Sequence, residues 1–139
     1  DGSTFEIGKA VELRDGSDVT LITSGYCTTD TIKAAEILAK EGISAKVLNM
    51  FTWKPLDVEA IVAAAQKTGA IVTVENHNVI NGLGSAVAEV VGEHCPVPMK
   101  RIGVQDRFGE VGSIDYLKGI FGMTVEDIVA AAKETIKRK

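Results

Sequence analysis

The stretch IVTVENHNVINGLGS, residues 71–85, decides the fold. It begins with β-branched residues, which are typical of a buried strand. A polar turn follows, and a pair of glycines then leads into an apolar periodic segment at 86–92 that predicts a helix. This βα corner is expected at the carboxyl end of a parallel sheet, where functional groups usually collect. The candidate site residues of the corner are Glu75, Asn76, His77, Asn78, Gly82, Gly84 and Ser85.

Outward from this corner, short apolar strands alternate with helical segments along the whole chain. Strands are predicted at 10–14, 18–23, 45–50, 71–74 and 99–104, and helices near 29–41, 58–67, 86–92, 113–118 and 125–137. Such alternation indicates βαβ units and a mostly parallel sheet. The first two strands are separated by only a short turn, which favours an antiparallel hairpin between them. We therefore predict a three-layer α/β/α domain with an antiparallel strand at its front.

Four helix starts carry side chains that can accept hydrogen bonds from free backbone N–H groups. The hydroxyl of Thr28 or Thr29 can cap the first helix. Asp57 precedes the second helix and Ser113 precedes the short fourth one. Thr124 with Asp127 matches a variant of the capping box and opens the last helix. These local signals predict where the helices begin.

Composition narrows the class of protein. The 139 residues suit one domain with a real core, so we treat 1–139 as a single domain. The formal net charge of −4 implies no basic face, and nucleic acid and anionic membranes are poor partners for such a chain. Cys27 and Cys95 lack metal or disulfide spacing and read as free thiols. No apolar run reaches membrane-spanning length, so a cytoplasmic protein is expected. A first residue that is Asp rather than Met agrees with a domain excised from a longer chain.

Well-known catalytic motifs do not occur in the sequence. There is no phosphate-binding GxxxxGK[ST] loop, and Gly82-Leu83-Gly84 lacks the third glycine of the dinucleotide fingerprint. There is no HExxH, no zinc spacing and no GxSxG elbow. His77 and His94 fall in different predicted elements, so a metal cluster is not expected.

The corner itself admits two interpretations at each position. The two glycines and Ser85 suit a site for an anion at a helix N-terminus. They equally allow a tight turn from strand to helix. We favour the turn because no basic residue lies in the stretch. Glu75 and His77, two apart, would point to one side of an extended chain as an acid/base couple. Hydrogen bonds to local backbone or to a neighbouring subunit are the commoner role for such residues.

The polar loop at 105–112 is the second candidate region. Asp106, Arg107 and Glu110 surround Phe108, which is either an aromatic anchor for a partner or a side chain tucked into the core. Trp53 leaves the same two alternatives open. Cys27 stands at a helix start that can activate a thiol, although a buried inert cysteine is the expected outcome.

Four segments carry a resemblance to a known family: VENHNVINGLGSAVAEVV (74–91), TLITSG (20–25), KVLNMFTWKPLD (46–57) and KRIGVQDRFGEVGS (100–113). In these segments, and in their order along most of its length, the chain resembles the transketolase C-terminal domain family. Gln105 stands where many relatives have proline. The resemblance implies a five-stranded mixed sheet whose first strand is antiparallel.

The resemblance also implies a dimeric parent enzyme that uses thiamine diphosphate and a divalent metal to transfer a two-carbon ketol unit between sugar phosphates. In that family the cofactor lies between two other domains, and their metal-binding and cofactor-activating motifs have no counterpart here. We therefore expect no catalytic, cofactor-binding or metal-binding residue in this chain. Its expected partners are the other domains or the N-terminal subunit of the parent, and its expected role is assembly or regulation.

Two alternatives stay open. The same domain type ends 1-deoxyxylulose-5-phosphate synthase and the beta subunit of 2-oxoacid dehydrogenases. A different class is a stand-alone ligand-binding or regulatory module. Its crevice would lie where the turns at 24–29 and 75–85 meet, provided that the strand order reverses there.

Overall fold

The computed structural model describes residues 4–139 and contains one five-stranded sheet covered by helices on both faces. The strands are β1 (Val11–Arg14), β2 (Val19–Thr23), β3 (Ala45–Asn49), β4 (Ile71–Asn78) and β5 (Met99–Val104). The helices are α1 (Thr28–Lys40), α2 (Val58–Thr68), α3 (Leu83–His94), α4 (Ile114–Phe121) and α5 (Val125–Ile136), with a short 3₁₀ turn, Gly25–Cys27, before α1.

The strand order is β1-β3-β2-β4-β5, with β1 antiparallel to β3 and all other pairs parallel. This confirms the predicted mixed sheet with an antiparallel first strand. The chain leaves β2 for β3 on one side and returns to β4 on the other, so the strand order reverses between β2 and β4. In open α/β sheets this reversal leaves a crevice at the carboxyl ends of the strands. The turn after β2 and the corner after β4 border that crevice.

The predicted hairpin between the first two strands is wrong. The four residues 15–18 do reverse the chain, but they cross the start of β3 before β2 begins. The N–H groups of Ser17 and Asp18 donate to the Ser44 carbonyl at 3.1 and 2.8 Å. A side chain at Gly16 would overlap the peptide between Ala45 and Lys46, so only glycine allows this close crossing. Four extended residues reach about 13 Å, which exceeds the roughly 10 Å across two strand spacings.

The three-layer α/β/α architecture follows from alternation along the strands. Leu21 and Val47 point to the face covered by α1 and α5, where Leu38 and Ile128 are fully buried. Their neighbours along the strands point to the opposite face, which α2 and α3 cover. Helix α5 therefore forms half of one outer layer, and it follows all five strands in sequence.

Three of the four predicted helix caps are confirmed. The Asp57 carboxylate accepts from Ala60 N at 3.0 Å, and the Ser113 hydroxyl accepts from Tyr116 N at 3.3 Å. Thr124 and Asp127 form the full reciprocal capping box. The cap expected from Thr28 or Thr29 is wrong, because Cys27 is the N-cap residue of α1 and no side chain in the described part of the chain bonds to the free N–H groups there. The Thr28 hydroxyl is instead buried without a hydrogen-bond partner among residues 4–139. Helix α3 differs from its prediction because it begins at Leu83, three residues earlier than residue 86.

Candidate functional site

The corner lies at the carboxyl end of β4, beside the crevice between β2 and β4. Residues 75–78, which the sequence predicted as a polar turn after the strand, are instead the last four residues of β4. Their side chains do not share one environment: Glu75 is fully buried, Asn76 and His77 are exposed, and Asn78 is half-buried. The corner therefore presents two polar side chains to solvent and turns its carboxylate inward.

The Glu75 carboxylate caps helix α3. Its Oε2 accepts from Leu83 N at 2.7 Å and its Oε1 accepts from Gly84 N at 2.8 Å. The free N–H groups and the dipole of a helix N-terminus favour a negative charge at this position. The anion at this terminus is thus supplied by the chain itself, which also explains why α3 begins at Leu83.

Burial raises the pKa of the Glu75 carboxyl above its ordinary value, while the Gly84 and Leu83 amides act in the opposite direction. Both carboxylate oxygens are engaged with the backbone of α3, and no hydrogen bond joins Glu75 to His77 in the part of the chain described. The geometry does not form the acid/base couple, and it matches the local backbone role that we considered beside it.

The two glycines of the corner are required by close packing. A Cβ at Gly82 would overlap the Oε2 atom of Glu75 and lie 2.8 Å from the Asn78 carbonyl. A Cβ at Gly84 would lie 2.7 Å from Thr73 Oγ1 and 2.8 Å from a methylene of Arg101. These glycines let helix α3 approach strands β4 and β5, as the tight-turn interpretation requires.

Ser85 is also engaged within the corner. Its hydroxyl donates to the Val79 carbonyl at 2.8 Å and accepts from Asn81 N at 3.0 Å. The Arg101 guanidinium donates to the same carbonyl at 2.9 Å. Sequence reasoning missed Arg101, whose signal was a charged residue inside the strand β5, next to Thr73 in register.

His77 belongs to a small exposed cluster on the other side of the corner. Its Nδ1–H donates to the Asn78 carbonyl at 2.7 Å, and its ring meets the Trp53 ring edge-on with 6.1 Å between centroids. The Trp53 indole donates to the Ser24 hydroxyl at 3.1 Å. The turns after β2 and β3 and the end of β4 therefore meet at this place. Trp53 is half-buried there and also packs against the core on the α2 and α3 face of the sheet.

The loop after β5 is attached to the corner through one polar contact. Asn78 Nδ2 donates to Asp106 Oδ1 at 3.3 Å. Arg107 turns away from the corner and donates to the Ile120 carbonyl at 2.9 Å. Phe108 is 99% exposed, so the alternative that tucked it into the core is wrong.

A cavity of about 390 Å³ lies between α4 and the crevice. Tyr26 and Cys27 line it from the turn after β2, and Asn76 lines it from the corner. Burial raises the pKa of the Cys27 thiol to about 11, so the thiol stays protonated at neutral pH.

No set of three or more His, Cys, Asp and Glu side chains within residues 4–139 is placed to hold a metal ion. The N–H groups at the start of α3 are already bonded to Glu75. No helix in the same part of the chain is long and apolar enough to cross a membrane.

These features define an open α/β domain whose corner at the strand reversal is built for packing and for contact with solvent or a neighbour. The family model for "Transketolase, C-terminal domain" matches residues 8–128. The chain belongs to the transketolase C-terminal domain family.

Individual relatives agree with this assignment. The 6-deoxy-6-sulfo-D-fructose transketolase subunit SqwH from Clostridium sp. (strain MSTE9) is 56% identical over 135 residues, covering 97% of this chain and 42% of the relative. The 1-deoxy-D-xylulose-5-phosphate synthase of Heliobacterium modesticaldum is 41% identical, covering 95% of this chain and 21% of the relative. A solved structure described as a split gene transketolase, an inactive beta4 tetramer, has a TM-score of 0.93 at 44% identity, covering 97% of this chain and 44% of that one. The chain thus spans less than half the length of each of these proteins.

Proposed function

We propose that this chain is the C-terminal section of a transketolase and that it serves assembly rather than chemistry. The parent enzyme would transfer a two-carbon ketol unit between sugar phosphates, with residues 1–139 as one domain of it. The observation that supports a non-catalytic role is the Glu75 carboxylate, which is fully buried and gives both oxygens to the backbone of α3. A carboxylate held in this way cannot reach a substrate.

The cofactor belongs to the rest of the parent in this proposal. Thiamine diphosphate and a divalent metal would supply the carbon–carbon bond chemistry there. Two observations on residues 4–139 support this placement: the N-terminus of α3 is already capped by Glu75, and no ligand set for a metal is present. No catalytic step is derived through either group.

The partners in this proposal are the other domains of the parent or its N-terminal subunit. The chain spans 42% of a relative named as a transketolase subunit and 44% of a split-gene transketolase chain, which supports a multi-part enzyme. We further propose that the parent is a homodimer of such assemblies, that it acts in the cytoplasm, and that its reaction belongs to pentose phosphate metabolism or to a parallel route for sulfonated sugars.

Reconstitution tests this function. The chain is produced alone and together with the remaining section of its parent, and thiamine diphosphate binding is measured by calorimetry. Ketol transfer is assayed with fructose 6-phosphate and with 6-deoxy-6-sulfo-D-fructose as donors. We expect neither binding nor transfer by the chain alone and both by the assembled enzyme. Cofactor binding or transfer by the isolated chain would contradict the proposal.

The synthase relative supports a second candidate within the same cofactor class. A C-terminal domain of 1-deoxyxylulose-5-phosphate synthase would sit in an enzyme that condenses pyruvate with an aldose phosphate. The assembled enzyme therefore distinguishes the two by its donor: carbon dioxide release from pyruvate favours the synthase, and turnover of a ketose phosphate favours the transketolase.

The cavity at the strand reversal supports the third candidate, a ligand-binding module. A thermal shift of the isolated chain with sugar phosphates or nucleotides would favour it. An unchanged melting temperature with every anion would favour the assembly role.

A further inference from the structure

The surface formed by the loop 105–113 and helix α4, which we name the α4 face, exposes an unusual amount of apolar side chain. Phe108 is 99% and Val111 100% exposed, while Ile114 and Tyr116 are each about half exposed at 52% and 51%. No residue of α4 is buried, although its apolar side chains lie on one side of the helix. Contiguous exposed apolar surface of this kind marks an interaction site in a folded protein.

The loop keeps its shape without burying these apolar side chains. The Arg107 guanidinium donates to the Ile120 carbonyl at 2.9 Å and lies 5.4 Å from the centre of the Phe121 ring. The Tyr116 hydroxyl donates to Glu110 at 3.2 Å. Polar contacts thus fix both ends of the loop and leave Phe108 projecting into solvent. An anchor that is ordered before binding costs less conformational entropy when a partner arrives.

The cavity of about 390 Å³ lies next to this projecting loop and shares its wall with α4. Ile114, Leu117 and Phe121 line it from the helix, and Val104 lines it from the end of β5. An apolar side chain from a partner is the kind of group that fills such a pocket at the centre of an interface. The α4 face therefore offers both an anchor and a receiving pocket.

Charge on this face decides between two kinds of partner. Lys118 pairs with Asp30 and Arg107 pairs with Glu110, so both cations are neutralised. Asp115 has no ion pair within residues 4–139, and Asp106 bonds only to the Asn78 amide there. The residual charge is negative. A two-fold contact between copies of this chain would bring these carboxylates together, whereas a surface with Lys or Arg at its rim would complement them.

We infer that the α4 face is the docking surface for the remaining section of the parent enzyme, which inserts an apolar side chain into the cavity and surrounds it with basic residues. This inference rests on the proposed function and deepens it by locating the contact. It places the contact on the loop after β5 and on α4.

Hydrogen exchange in the intact parent enzyme tests this surface. Backbone amides of residues 106–121 are followed in the parent and in this chain alone, and ketol transfer is assayed on the same preparation. We expect these amides to exchange at least about tenfold more slowly in the parent, because docking removes them from solvent. Phe108→Ser and Asp115→Lys should each abolish most of that slowing. Asp115→Lys should act more strongly at low salt, where charges are screened less.

Two control substitutions outside the α4 face test whether the loss of slowing is specific to that face. Ile7→Ser removes a side chain that is 76% exposed outside the α4 face, and Glu89→Lys reverses an exposed charge on α3. Both controls should keep the wild-type slowing, and circular dichroism of each variant should match the wild type because all four positions are exposed.

Four outcomes would overturn the inference. The first is equal exchange in the parent and in the isolated chain while ketol transfer persists, which removes the docking surface but leaves the proposed function standing. The second is slowing that Phe108→Ser and Asp115→Lys affect no more than the controls do. The third is slowing that appears in the isolated chain as its concentration rises, which would make a second copy the occupant. Absence of ketol transfer and of slowing together would overturn both the inference and the proposed function.

Discussion

The Gly82→Ala substitution should destabilise the domain strongly, because one added methyl group meets the capping carboxylate of α3. The new Cβ would overlap the Oε2 atom of Glu75, and the Asn78 carbonyl, 2.8 Å away, closes the other direction. Glu75 is fully buried, so its carboxylate has no free space to move into. The hydrogen bond from Leu83 N, now 2.7 Å long, must break or the turn must shift.

The size of this effect follows from two contributions. Loss of a hydrogen bond to a charged group costs about 1.5–3 kcal/mol. Overpacking of a close-packed site costs about 1–3 kcal/mol. A single displacement of the Glu75 carboxylate accounts for part of both the lost hydrogen bond and the overpacking, so the two costs do not add in full. We therefore expect a loss of about 3 kcal/mol in the free energy of unfolding, or roughly 6–15 °C in melting temperature for a domain of this size.

Urea denaturation followed by circular dichroism measures this loss, and Gly92→Ala is the matched control. Gly92 lies inside α3 and a Cβ there would meet nothing within 4 Å. Alanine at that position should stabilise the helix by about 0.5–1 kcal/mol. Equal unfolding free energies for Gly82→Ala and the wild type would refute the close-packed cap. A loss for Gly92→Ala as large as for Gly82→Ala would show that the helix, and not the cap, limits stability.

Three further predictions concern titratable groups. The pKa of the Cys27 thiol is raised to about 11, so Cys27 should resist iodoacetamide at pH 7.5 while the half-buried Cys95 is alkylated. Peptide mass spectrometry measures the two reactions, and equal labelling of both cysteines would contradict a buried Cys27 thiol. Burial raises the folded-state pKa of Glu75 above its ordinary value of 4.5. The wild type should therefore lose stability relative to Glu75→Gln as the pH rises through that raised pKa. Urea titrations from pH 4 to 8 measure this difference, and a wild type that gains stability relative to Glu75→Gln over that range would contradict the prediction. His77→Ala should weaken the assembly or stability of the parent enzyme more than its turnover. Sedimentation measures assembly and steady-state kinetics measure turnover. An intact, stable parent enzyme with strongly reduced turnover would instead assign His77 to the chemistry.

Features fixed by neighbouring residues were predictable from the sequence. The caps at Asp57, Ser113 and Thr124 depend on a side chain and a backbone group three residues away, and all three form as expected. Strand positions followed from runs of β-branched residues between turn residues. The glycines of the corner were correctly interpreted as a tight turn, because the stretch offered no basic residue for an anion.

Features that depend on distant contacts were not predictable. A turn of four residues reverses the chain equally well in a hairpin and across an intervening strand, and only the pairing of β1 with β3 tells the two apart. The role of Glu75 depends on amides eight and nine residues further along, which come within reach only after α3 packs on β4 and β5. The exposure of Phe108 depends on Arg107 finding the Ile120 carbonyl. The distances between residues far apart in the sequence cannot be read from a pattern of residue types.

The position of α5 in the sequence has a consequence for how the domain is made. All five strands leave the ribosome before this helix, yet Ile128 and Ala132 of α5 complete the core on one face of the sheet. A nascent chain that has already paired its strands therefore exposes apolar side chains of β2 and β4 until α5 arrives. A chain interrupted within α5 should therefore leave that face uncovered and should aggregate through it.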